Sequence, residues 1–241
     1  MFNDKAYLEV NRDERFYCAL LGHALLSSLL IRERFTTLVQ TRFGVTLNPG
    51  AYEVFLEAAP LRDYWYDLGD PFSYTEETHR RRRVVLQSLL AVMGVPRDVI
   101  DKYPVFWTSE KQRKLWSPGR WDPLALKDAG LHQLIKLSWA FNAKPDVLII
   151  SGPRALMIEA KVESSEGRDD ATGYEQLEIQ NLVCRLLKLL VPRFAEVQFT
   201  NTIIGLHPQS GICWSEVLSM VEHSGLDAFS MRSFRQLKRF G

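Results

Sequence analysis

Residues 144–163, Lys-Pro-Asp-Val-Leu-Ile-Ile-Ser-Gly-Pro-Arg-Ala-Leu-Met-Ile-Glu-Ala-Lys-Val-Glu, leave this chain few ways to fold. The runs Val147 to Ile150 and Ala155 to Ile158 are short, aliphatic and partly β-branched, the pattern of buried strands. Ser151-Gly152-Pro153-Arg154 between them reads as a hairpin turn. Glycine supplies the positive φ that a type II′ turn needs at its first loop position, and proline accepts the second. With Gly152 and Pro153 as the loop, Ser151 pairs with Arg154 and Ile150 with Ala155. Stepping back along both strands, Asp146 falls opposite Glu159.

Opposed residues on paired strands share a face, with Cβ atoms roughly 5 Å apart. Two carboxylates therefore converge at the open end of the hairpin, and Lys161 points to the same side. Like charges that close repel, and each acid rises in pKa unless a cation lies between them. Oxygen ligands beside an ammonium suit Mg2+ or Mn2+ rather than zinc, and Mg2+ in such sites completes its shell with water and substrate phosphate.

Pro145-Asp146 followed by Glu159-Ala160-Lys161 resembles the signature of the PD-(D/E)xK nuclease superfamily, the restriction-endonuclease-like fold. The motif is short, but the sequence holds one Pro-Asp and one (Asp/Glu)-x-Lys, in the right order on adjacent expected strands. The resemblance implies that Asp146 and Glu159 hold one or two Mg2+ ions, with the Ala160 carbonyl as a further ligand. It implies that Lys161 orients the attacking water and that the product is a cleaved phosphodiester, in DNA sooner than RNA. Relatives often carry an extra acid on the first core helix, for which Glu14 is the candidate; the plainer reading is that Glu14 only caps its helix. In the RecB-like branch a glutamine on the helix after the lysine strand lies near the site, a part open to Gln176 or Gln180. The tyrosine of that branch, four residues after its glutamine, is replaced here by Gln180. Three other readings stand beside the nuclease: a solvated surface hairpin, a catalytically silent nucleic-acid-binding or assembly subunit on the same fold, and a helical partner-binding protein in which the hairpin is incidental.

The rest of the chain sets the expected architecture. Asn11 caps a helix that Gly44 stops, with Tyr17, Leu20, Leu21, Ala24, Leu25 and Ser28 as its apolar stripe. Asn48-Pro49-Gly50 opens a second helix to Trp65, on which Glu53 and Glu57 form an i,i+4 pair that could join a metal site, although a solvated face is the commoner use of such a pair. A third runs from Thr75 to Gly94. A Trp-rich basic loop covers 102–123, a short helix 124–130 and a strand 131–141. Helix 174–191, strand 196–206 and helices at 214–223 and 227–240 follow. The order resembles an α-β-β-β-α-β restriction-endonuclease-like core: an α/β fold whose mixed sheet of about four or more strands is flanked by helices. In one domain, 1–241, residues 1–43 form the N-terminal core helix and 44–130 a helical insertion. Residues 131–206 form the motif-bearing core, and 207–241 the closing helices.

A net charge of +1 gives no overall pull toward nucleic acid, so phosphate affinity must come from local clusters. Arg80-Arg81-Arg82-Arg83 cover more than one helix face, so at least two are exposed; Arg81 and Arg82 are the candidates for DNA-backbone contact, with a solvated face paired to nearby acids as the equal alternative. Arg113, Lys114 and Arg120, interleaved with Trp107, Trp116 and Trp121, are further candidates, although such tryptophans more often pack a loop. Cys18, Cys184 and Cys213 lack metal spacing and read as reduced core thiols, which with no leader and no membrane span points to the cytoplasm. The expected partners are DNA and, as a homodimer or larger assembly, protein.

Overall fold

The computed structural model describes residues 14–69, 75–102, 118–162, 176–206, 208 and 211–237. The chain is mixed α/β, with a five-stranded sheet in the order β1-β2-β3-β4-β5. It divides into two compact units, one drawn from Met1–Ala58, Pro145–Leu177 and Glu196–Gly241, the other from Ala59–Lys144 and Glu178–Ala195.

The first unit holds the sheet. Helix α1 (Glu14–Ser27) and helix α2 (Leu29–Phe43) replace the single helix expected from the sequence and meet at 115°. The break lies at Ser27-Ser28, where hydroxyls compete for backbone groups. Ser28 is extended, and its side chain caps α2 by accepting from the Ile31 N–H at 3.3 Å. Gly44 ends α2 in the left-handed region, as expected.

Strand β1 (Tyr52–Leu56) corrects the helix expected from Asn48 to Trp65. Asn48 does cap, but only a 3-10 turn: its side chain accepts from Gly50 N–H at 3.0 Å. Tyr-Glu-Val-Phe-Leu is rich in the aromatic and β-branched residues that favour strands. Glu53 and Glu57 are therefore not a helical pair. Helix α1 comes close to this strand at Gly22, where a Cβ would stand 3.0 Å from the Leu56 side chain.

Strands β2 (Val147–Ser151) and β3 (Arg154–Ala160) form the expected hairpin, with Ser151 opposite Arg154 and Val147 opposite Ile158. Gly152 has φ +59°. β1 pairs antiparallel with β2, from Tyr52 opposite Ser151 to Leu56 opposite Val147. Strand β4 (Gln198–Gly205) runs parallel to β3, and the two-residue β5 (Ile212–Cys213) parallel to β4. Val147, Ile149, Leu156 and Ile158 face one core with Tyr17, Leu21 and Leu25 of α1 and with Trp214 and Val217. Burial of such side chains contributes about 1.5–3 kcal/mol each.

The second unit is helical. Here α3 (Pro60–Asp67), α4 (Glu76–Val92) and α5 (Pro123–Asp128) precede α6 (His132–Asn142). Helix α6 corrects the strand expected over 131–141. Leu134, Ile135, Leu137, Ser138 and Phe141 are buried at helical spacing, whereas Trp139, needed for strand alternation, is half-buried. Trp65 meets Phe141 edge to face at 5.4 Å. Helix α7 (Gln176–Leu190) buries Leu182, Val183, Leu186 and Leu187. Back in the first unit, α8 (Trp214–Val221) and α9 (Ala228–Gln236) close the chain. Among the described residues no single helix is long and apolar enough to cross a membrane.

Candidate metal centre

Three neighbouring strands present acids at one end of the sheet. Asp146 directly precedes β2, Glu159 is the penultimate residue of β3, and Glu57 directly follows β1. The β2–β3 register, continued by one residue past Val147 and Ile158, sets Asp146 across from Glu159 as the turn chemistry requires. Ala160 N–H closes the hairpin by donating to Asp146 Oδ2 at 2.7 Å. Asp146 and Glu159 retain only 8% and 5% of their exposure.

Lys161, one residue past β3, points its ammonium at Glu159 Oε1, 2.9 Å away, and lies 3.8 Å from Glu14 Oε2. Glu14 opens α1, and its Oε1 accepts from the Val162 N–H at 3.1 Å. The Lys161 peptide is tied at both ends: its N–H donates to Ile204 O at 2.7 Å, and its carbonyl accepts from Trp214 Nε1 at 3.0 Å.

The electrostatics follow from burial. Burial, then the charge of Glu159, pushes the Asp146 carboxyl up to about 7, against the Ala160 N–H and the Lys161 charge; Glu57 adds to the rise. For Lys161, burial opposes the charged form, but the hydrogen bond and charge of Glu159, with the charges of Glu14 and Asp146, outweigh it and raise the ammonium above its usual value. Cys18, buried on α1, is pushed well up by burial and then by Asp146, Glu159, Glu14 and Glu57. It is held as a neutral thiol.

Among the described residues no three His, Cys, Asp or Glu side chains gather closely enough to hold a cation by themselves. Two carboxylates suffice for Mg2+, which keeps several waters and takes one or two acids from the protein. The donor set fits: all oxygen, with the Asp146 carboxyl raised by burial and by the facing charge of Glu159, both of which a cation would offset. The Ala160 carbonyl, the other oxygen named by the motif, belongs to the residue between Glu159 and Lys161.

Gln176 opens α7 half-buried, and Gln180, a turn later, is buried. Arg82 is turned inward: its guanidinium lies 5.7 Å from the Trp65 ring and donates to Trp65 O at 3.3 Å and Gly69 O at 3.0 Å. That is a structural use, and it withdraws Arg82 from solvent. Arg81 stays exposed and pairs with Glu77 at 2.8 Å, and Arg120 is exposed on a 3-10 turn. Arg113 and Lys114 lie outside the described residues.

Sequence reading offers Glu57 to a metal site only as half of a helical pair with Glu53, and it misses Trp214. Glu57 was assigned to a helix, and only a strand over 52–56 brings it beside Asp146. No local signal marks Trp214, which reaches Lys161 from a helix 53 residues later. No family model, curated protein or solved structure matches the chain.

Proposed function

We propose that this chain is a divalent-metal-dependent nuclease of the PD-(D/E)xK type, acting on DNA. The observation that carries the reading is the meeting of Asp146 and Glu159 on adjacent strands, with the Lys161 ammonium 2.9 Å from Glu159. The order of elements supports it: two helices, a strand, a helical segment over 60–142, two further strands that complete an antiparallel trio, a helix, then a strand parallel to the third. With the helical segment set aside as an insertion, the succession resembles the α-β-β-β-α-β order of a restriction-endonuclease-like core, its first strand at Tyr52–Leu56 rather than at 131–141.

Asp146 and Glu159 would hold Mg2+ or Mn2+, with the Ala160 carbonyl as a further oxygen. The cation supplies Lewis-acid stabilisation of charge on the phosphate. The chain's own groups do the rest. Ala160 N–H holds one oxygen of Asp146 and thereby orients the carboxylate. Lys161, fixed at both ends of its peptide, presents an ammonium that positions the attacking water or offsets charge on the pentacoordinate phosphorus. Glu14 shares that ammonium and holds the chain just after it through Val162 N–H.

Incubation of supercoiled plasmid, single-stranded DNA and RNA with the protein and Mg2+ or Mn2+ tests the reading. DNA cleavage that EDTA stops, and that Asp146→Asn, Glu159→Gln and Lys161→Ala each abolish, is the expected result. Metal-independent cleavage, or cleavage that survives all three changes, overturns it.

A further inference from the structure

We infer that Glu57 is a positioning residue of this metal centre, holding the hydrated divalent cation from outside its direct ligand set, and that Arg15 competes for it. The inference rests on the nuclease reading and deepens it by naming an outer acid and the cation that restrains it.

Glu57 is the first residue past β1, and its backbone N–H donates to the Asp146 carbonyl at 3.2 Å, carrying the β1–β2 pairing one step beyond Leu56 and Val147. The acids at the ends of β1, β2 and β3 are thus Glu57, Asp146 and Glu159, side by side. Glu57 takes φ +52°, in the left-handed region. Glycine or asparagine would sit there with less strain, yet the position carries a long acid. Strained backbone of this kind persists where the surrounding structure over-determines it, and it gathers at sites of function.

The side chain is free enough to act. Glu57 keeps 34% of its side-chain exposure, against 7% for Glu159, so its carboxylate stays hydrated while its backbone is fixed to Asp146. Its recorded ion pair is with Arg15 Nε at 3.5 Å, and Arg15 is 73% exposed. An exposed pair of that kind is worth little in water. A hydrated divalent cation beside Asp146 offers Glu57 a stronger partner, because carboxylates that accept from a metal's water shell tighten binding without ligating it. Arg15, next to Glu14 on α1, holds the carboxylate when no cation is there to claim it.

The test is calorimetric titration of the full chain with Mn2+ alone, without nucleic acid, comparing wild type, Glu57→Gln, Arg15→Gln and Asp146→Asn. Glu57→Gln keeps size and backbone and should weaken Mn2+ about tenfold. Arg15→Gln should tighten it, about threefold, by freeing the acid. Opposite signs are what a merely structural role would not give. If Asp146→Asn abolishes binding while Glu57→Gln and Arg15→Gln leave it unchanged or move it the same way, this inference falls and the metal centre stands. If wild type takes up no Mn2+, both fall together.

Discussion

The Ala160 N–H donates to the Asp146 carboxylate at 2.7 Å, so a side chain rather than a carbonyl closes the open end of the β2–β3 hairpin. The acid is thereby part of the sheet's hydrogen bonding and of the candidate metal centre at once. Stability and function should pull against each other at this residue.

Asp146→Asn keeps an oxygen for the Ala160 N–H and removes a buried charge that faces Glu159. In EDTA at pH 8 the variant should be more stable than wild type by about 1–2 kcal/mol by urea denaturation. It should at the same time lose cleavage. A loss of stability would show that the ionised acid is accommodated without metal.

The same group sets a pH dependence. Asp146 titrates near 7 in the folded chain and near 3.9 unfolded. Between those values the folded state holds a proton that the unfolded state has lost, so stability should fall as pH rises from about 4 to 7 and level off above. A cation binds the ionised form, so Mg2+ should raise the melting temperature more at pH 8 than at pH 5.5. Equal shifts at both values would remove Asp146 from the metal's ligands.

Lys161→Ala strands Glu159, whose side chain is 7% exposed, without its ammonium. The metal-free protein should lose about 3 kcal/mol. Adding Glu159→Gln to that variant should restore most of the loss, because it removes the buried charge that stood nearest the lost ammonium. A double-mutant cycle in EDTA measures the coupling, and additivity of the two changes would contradict the pairing.

Arg82→Ala should cost about 2–3 kcal/mol, since it removes the ring contact with Trp65 and the donors to Trp65 O and Gly69 O. It should leave the salt dependence of DNA binding unchanged. Arg81→Ala, on the exposed face, should instead lower that slope by about 1 if its guanidinium meets a phosphate.

The centre was legible in the sequence because Gly152-Pro153 admits one hairpin register, and that register alone sets Asp146 against Glu159. The antiparallel partner of β2 was not. Asn48-Pro49-Gly50 imitates the start of a helix but is spent on a single 3-10 turn, which hides the strand Tyr52–Leu56 and with it the position of Glu57. Residues 131–141 carry apolar side chains at strand and helix spacing together, and burial of Leu134 and Ser138 decides for the helix. Arg82 could not be told from its three arginine neighbours until α3 and the turn after it supplied the Trp65 and Gly69 carbonyls it binds. Local chemistry fixed the turn, whereas these three depended on partners distant in the chain.

Ile204 and Trp214 grip the Lys161 peptide from either side, one through its N–H and the other through its carbonyl. The root of the lysine is thus held from two sides, while its ammonium stands within reach of two acids, 2.9 Å from Glu159 and 3.8 Å from Glu14. A ligand that claims Glu159 leaves Glu14 as the remaining anion for that ammonium to face.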